Sequence, residues 1–147
     1  MSPPLRSGFS HTAMKRLHLW MGALTLLAFL LSGQYMDYLE VRTNALGETA
    51  RVMFRSRHIY LLLAGLVNLG LGAYFSYRER GWRRILQLLG SALVVVAPVL
   101  MLAAFFAEPV GPGLKRHFTL PAVIAVAVGT LLHAVSGIRS GAGFQTD

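Results

Sequence analysis

Residues 85–106, ILQLLGSALVVVAPVLMLAAFF, form an unbroken stretch of 22 residues without Asp, Glu, Lys or Arg. An α-helix needs about 20 apolar residues to cross the roughly 30 Å hydrocarbon core of a bilayer. Backbone amides inside lipid find no water, so a helix that satisfies its own amides is the expected conformation. This stretch therefore predicts a membrane-spanning helix.

Three more stretches of the chain lack these charged residues, namely 17–36, 59–77 and 118–138. Only 14% of the whole sequence is charged, whereas a soluble domain carries about 25%. The alternating segments of about 10 residues that mark a membrane β-barrel are not visible. Because the connections are short, we predict an all-α integral membrane protein, an antiparallel up-down four-helix transmembrane bundle.

The predicted bundle forms a single domain, 17–138, between polar tails at 1–16 and 139–147. Within the first connection, residues 46–57 mix apolar side chains with charged ones, which predicts a short interfacial helix leading into the second span. The tails and the second connection carry eight Lys and Arg, and the opposite side carries six. This bias, concentrated in the arginine-rich loop 78–84, predicts that both termini are cytoplasmic.

Small residues mark where helices should pack closely. Ala64, Asn68 and Gly72 recur every four positions along the second span, and Gly90 and Ser91 are adjacent on the third. Small side chains let two helix backbones approach each other in a membrane. These positions therefore predict the helix seams.

Composition and motifs exclude several functions. The chain has no cysteine, which rules out disulfides and thiolate metal sites. No carboxylate lies within a predicted span and no HExxH motif is present, so we predict no catalytic residue and no metal site. The net charge of +8 comes from arginines near helix ends, where they suit lipid headgroups better than nucleic acid.

Histidines are the residues with the clearest chemical potential. His18 and His133 fall toward one side of the predicted bundle, and His58 and His117 fall toward the other. A b-type haem takes one axial imidazole from each side of its iron. Two histidine pairs, one in each leaflet, would suit a transmembrane electron carrier.

In its architecture and histidine placement the chain resembles four-helix dihaem cytochromes of the b561 type. The resemblance implies haem b as a cofactor, held by His18 and His133 and by His58 and His117. The stretches LHLWMGALTLLAFLLSGQYM (17–36) and SRHIYLLLAGLVNLGLG (56–72) are also similar to small bacterial inner-membrane proteins of unassigned activity. That second resemblance implies a bacterial inner membrane and no particular site.

Helix geometry favours a structural role for the histidines. His117 and His133 are 16 residues apart, which places them about 160° apart around one helix instead of on one seam. His58 and His117 each follow an arginine, as expected for side chains at the membrane interface.

Three functions remain open from the sequence. The leading one is a non-catalytic accessory, assembly or scaffold component of a larger membrane complex. The second is a b-type haem electron carrier. The third is a lipid- or quinone-contacting protein, in which Arg55, Arg57 and Tyr60 meet lipid headgroups at one interface.

Overall fold

The structure, a computed structural model, describes residues 11–43, 47–74, 76, 81–109 and 116–137. These residues form four α-helices: α1 (His11–Asp37), α2 (Glu48–Tyr74), α3 (Trp82–Ala107) and α4 (Thr119–Gly137). A π-helical segment, Tyr38–Thr43, continues α1. No strand occurs within these ranges, so the predicted all-α fold is confirmed.

Three helical segments are long and apolar enough to cross a membrane: Thr12–Val41, Trp82–Ala107 and Thr119–Gly137. The protein is therefore a helical membrane protein. Helix α2 is not among these segments. Its first half carries three charged side chains, Arg51, Arg55 and Arg57.

Helices α1 and α2 form a close antiparallel pair. A Cβ added to Gly22 would lie 2.7 Å from the Leu69 side chain, and one added to Gly72 would lie 2.6 Å from that of Leu19. At the other end of the pair, Gly33 faces His58. Of the predicted seam positions, Gly72 packs against α1 and Asn68 bonds to both α1 and α3, whereas Ala64 is buried against α3 and α4.

Helices α3 and α4 form a second close pair. A Cβ on Gly90 would lie 2.9 Å from the carbonyl oxygen of Gly129, and a Cβ on Gly129 would lie 2.8 Å from that of Gly90. The two backbones therefore touch at this crossing. The α1–α2 and α3–α4 pairs meet mainly through α2 and α3.

The core between the pairs contains two apolar clusters. One is built by Phe54, Leu61, Met101, Phe105 and Ala122, and the other by Ala64, Ala97, Ala125 and Val126. Large apolar side chains such as Leu30, Val99 and Leu131 are exposed on the outside. An outer surface of this kind suits contact with lipid better than contact with water.

Helix boundaries differ from the predicted ones in two places. The predicted interfacial helix and the start of the second span form one continuous helix, Glu48–Tyr74. Helix α1 begins at His11, so the end of the predicted N-terminal tail is helical. The predicted C-terminal tail and residues 1–10 lie outside the described part of the chain.

Candidate functional site

Four polar side chains from four different helices meet inside the bundle. We call His18, Asn68, Ser91 and His133 the central polar cluster. The Nδ1 atom of His18 lies 2.9 Å from Oδ1 of Asn68, and its Nε2 atom lies 3.0 Å from Oγ of Ser91. The same hydroxyl oxygen lies 3.2 Å from Nε2 of His133. His18 and Asn68 are fully buried.

The amide of Asn68 determines which nitrogen of His18 carries hydrogen. Its Nδ2 donates to the carbonyl oxygens of Ala64 and Val94, each at 2.9 Å. The carbonyl Oδ1 is therefore the atom that faces His18, and it can only accept. A neutral His18 accordingly carries its hydrogen on Nδ1 and presents a lone pair at Nε2. The Ser91 hydroxyl donates to that lone pair and accepts from Nε2 of His133.

Close helix packing gives this cluster its shape. A Cβ on Gly90 would lie 3.2 Å from Nε2 of His133, so glycine leaves the space that the imidazole occupies. The rings of His18 and His133 lie edge to face, with their centroids 6.1 Å apart. Since His18 is near the start of α1 and His133 is near the end of α4, the cluster lies toward the end of the bundle where α1 begins.

A second polar cluster lies at the opposite end of the bundle. We call Arg57, Glu108 and Thr119 the charged cluster. The Nη2 and Nε atoms of Arg57 lie 2.6 and 2.8 Å from Oε2 of Glu108, and both side chains are almost fully buried. Arg57 also donates from Nη1 to the carbonyl oxygen of Met53 at 2.8 Å.

Glu108 joins the end of α3 to the start of α4. Its Oε1 accepts from the backbone N–H of Phe118 at 2.7 Å and from that of Thr119 at 3.1 Å, and its Oε2 accepts from the Thr119 hydroxyl. Burial alone raises the pKa of this carboxyl. Hydrogen bonds from Thr119, Phe118 and Arg57 outweigh that effect and hold the pKa below its usual value.

His58 and His117, the histidine pair predicted at the same end of the bundle as the charged cluster, do not form a joint site. His58 bonds within the α1–α2 pair, with Nδ1 2.8 Å from Oγ of Ser32 and its ring stacked on Phe29 at 4.0 Å. His117 is exposed in the turn before α4. Within the described part of the chain, no contact links these two histidines.

The other predicted pair, His18 and His133, does come together. Haem does not fit between them in this arrangement, because the α3 and α4 backbones touch at Gly90 and Gly129 beside His133 and leave no room for a porphyrin ring. A pocket of about 110 Å³ lies elsewhere, mainly between α1 and α3, and no histidine lines it.

The residues predicted to contact headgroups fall into different environments. Arg57 is buried in the charged cluster, which corrects its assignment: desolvating the guanidinium is offset by the paired carboxylate and the Met53 carbonyl. Arg55 is exposed at the surface, 3.5 Å from Glu40. Tyr60 is half-buried and packs against the apolar cluster around Phe105.

Sequence reasoning missed the chemical partners in both clusters. It identifies Asn68 and Ser91 only as packing positions, and it does not identify Glu108 and Thr119. A signal for Glu108 exists in the sequence, because Glu108 is the first acidic residue after the apolar stretch 85–106, on the same predicted side of the membrane as Arg57. In the described part of the chain, no three His, Asp or Glu side chains group as they would around a metal ion.

Comparisons with known proteins returned no relatives. No protein-family model matches the chain, and no curated protein or solved structure matches it.

Proposed function

We propose that the protein is a non-enzymatic accessory component of a larger complex in a bacterial inner membrane, crossing that membrane four times. The supporting observation is that the buried polar groups bond to other groups of the same chain. In both clusters they bond to one another across helices and so hold the bundle together. No residue of either cluster lines the pocket between α1 and α3, so neither cluster opens onto that pocket, which suits a protein that acts through its surface.

The outer surface supports a contact with another transmembrane helix. A cleft lies mainly between α1 and α3, where Met21, Leu24, Ala28 and Val99 line an apolar wall broken by the polar side chain of Thr25. The Thr25 hydroxyl donates to the carbonyl of Met21. Because the Thr25 hydroxyl is already bonded, an apolar side chain from a partner's transmembrane helix fits this cleft, which has a volume of about 110 Å³.

Photo-crosslinking tests this role directly. A photoreactive phenylalanine analogue would replace Leu24 or Val99 in the cleft and, as a matched control, Leu131, which is exposed on α4. We expect the cleft positions to crosslink one protein of defined mass in native membranes and the control position to crosslink lipid. Crosslinks to lipid alone at all three positions would contradict the proposal.

Four spans would put both termini on one side of the membrane, and we propose that this side is the cytoplasm. This topology is supported by the antiparallel arrangement of the helices and by the excess of Lys and Arg on the side of the termini. Alkaline phosphatase fused after Asp147 is expected to be inactive, and a fluorescent protein fused there is expected to be bright. An active phosphatase would reverse the orientation or change the number of spans.

Of the two arginines predicted to contact lipid at the opposite interface, we propose this role for Arg55 alone. Its guanidinium is exposed near the start of α2, where an arginine can reach phosphate, and Glu40 shares it. The haem alternative gains no support from the geometry. A dithionite-reduced minus oxidised spectrum of the protein from haem-replete cells is expected to be flat, and a sharp α-band would restore that alternative.

A further inference from the structure

The two histidines of the central polar cluster aim the same nitrogen at the same point. Nε2 of His18 and Nε2 of His133 lie 3.0 and 3.2 Å from the Ser91 oxygen, so they are at most about 6.2 Å apart. Two imidazoles bound in line to one metal ion, each at about 2.0 Å, would have ring centres about 6 Å apart, whatever the angle between the two ring planes. The observed separation of the centroids is 6.1 Å.

His18 also has the second hydrogen bond that orients most metal-binding histidines. Such a histidine donates its second ring N–H to a fixed acceptor, which sets the tautomer and turns the other nitrogen toward the metal. Here Oδ1 of Asn68 accepts from Nδ1 of His18, and Asn68 is itself held by two backbone carbonyls. The lone pair at Nε2 is therefore presented to the interior.

The charge of the available ligands indicates which class of metal ion the cluster could bind. Two neutral imidazoles and a hydroxyl carry no charge, and among the described residues no Asp or Glu groups with the two histidines. The cost of burying an ion away from water rises steeply with its charge, which disfavours an uncompensated divalent ion. A monovalent ion that accepts two imidazoles in line, as cuprous copper does, meets both conditions.

We propose that His18 and His133 bind one cuprous ion between their Nε2 atoms, with the Ser91 hydroxyl beside it. On binding, His18 gives the ion the lone pair that now accepts from Ser91. His133 binds as the tautomer with its proton on Nδ1 instead of Nε2, and both hydrogen bonds to Ser91 break. No proton is released, and the site gains one positive charge. The inference does not depend on the accessory role proposed above.

An anaerobic titration of the purified full-length protein in detergent tests this site. Cuprous ion would be added against a chromogenic cuprous chelator, and X-ray absorption would report the coordination. We expect one ion per chain, held by two imidazole nitrogens at about 2 Å. Absence of binding, or an absorption spectrum without imidazole scattering, would overturn the proposal.

Variants separate this site from other histidines. His133→Phe should lower the affinity for cuprous ion by about 100-fold or more, and Asn68→Ala should lower it by about 10- to 100-fold. His58→Phe, which removes a histidine in the α1–α2 pair, should leave the affinity within about two-fold of the wild type. If His58→Phe abolishes binding while His133→Phe retains it, the site is wrongly placed.

Binding can also be measured on the wild-type protein alone, without variants that could fail to fold. Wild-type protein should gain thermal stability with added cuprous ion, because a ligand that binds only the folded state stabilises it. Zinc should give less stabilisation at the same concentration. Equal or greater stabilisation by zinc would overturn the assignment to a monovalent ion.

Discussion

The central polar cluster and the charged cluster both join helices inside the bundle, but they do so with different chemical groups. Both are buried, and both tie α2 and α3 to α4. The first uses neutral donors and acceptors within the helices, whereas the second uses a full ion pair at their ends. Neutral polar groups can be placed at depth in a bilayer at moderate cost, but charges are far more expensive there.

Position along the helices explains why the ion pair is tolerated. Glu108 follows the last residue of α3 and accepts the first free backbone N–H groups of α4, where the helix dipole favours a negative charge. Arg57 completes the pair from the first half of α2. The comparison predicts that breaking the charged cluster costs more than breaking the neutral one.

The largest effect is expected from Arg57→Met. It leaves the Glu108 carboxylate buried without its guanidinium, which should lower the free energy of unfolding by about 3–5 kcal/mol. Thermal unfolding in mild detergent measures the loss. Arg55→Met, which breaks the exposed pair with Glu40, is the matched control and should cost no more than about 1 kcal/mol.

The double change Arg57→Met with Glu108→Leu tests the reason for that loss. Removing both charges should recover part of the stability, because no lone charge is left buried. Recovery will be incomplete, since the N–H groups of Phe118 and Thr119 lose their acceptor. A double variant no more stable than Arg57→Met would show that the uncompensated charge is not the cause.

The next effect concerns the α1–α2 seam that supports the central polar cluster. Gly72→Leu should destabilise the protein by about 1–3 kcal/mol, because even a Cβ at this position would lie 2.6 Å from Leu19 Cγ and 2.9 Å from its backbone nitrogen. Gly70→Leu, two residues away on the same helix, meets nothing within 4 Å and should not destabilise. Leu71→Ala should also cost less than Gly72→Leu. Equal unfolding midpoints for the two glycine variants would mean that the seam is misplaced.

A smaller effect is expected from Asn68→Leu in the central polar cluster itself. The change removes the acceptor for Nδ1 of His18 and the donor to Val94, which should cost about 1–2 kcal/mol. The measurement is the same detergent unfolding as for Arg57→Met. A loss as large as that of Arg57→Met would remove the distinction between neutral and charged clusters.

The sequence is sufficient to predict the elements and the packing but not the partners. Charge-free stretches and small residues depend on local composition, so the amino-acid sequence alone locates the four helices and the seam through Gly72. Which polar side chains bond to each other depends on the orientation of each helix about its own axis, and composition does not determine that orientation. The sequence places His18 and His133 only on one side of the bundle, and the structure brings them together. His58 and His117, the pair with the better matched predicted depth, lie in different environments.

Arg57 shows where composition misleads. An arginine next to an apolar stretch is most simply interpreted as a headgroup anchor, and for Arg55 the exposure fits that interpretation. Arg57 is two residues further along the helix and therefore points about 200° away, into the bundle. Only the partner on another element, Glu108, distinguishes the two arginines, and that partner is 51 positions away.

The smallest effect is expected from acidifying the charged cluster. The pKa of Glu108 is lower in the folded protein than in the unfolded chain, so the carboxylate contributes stability at neutral pH. This contribution should begin to fall as the pH drops below the ordinary glutamate value of about 4.3, and it should be lost once the pH passes the lower folded value. Unfolding midpoints between pH 7 and pH 3 measure it, with Glu108→Gln as the control that removes the titrating group. The wild type should lose more stability than Glu108→Gln over this range, whereas parallel losses would place the acid sensitivity in another carboxylate and leave the charged cluster without a titrating role.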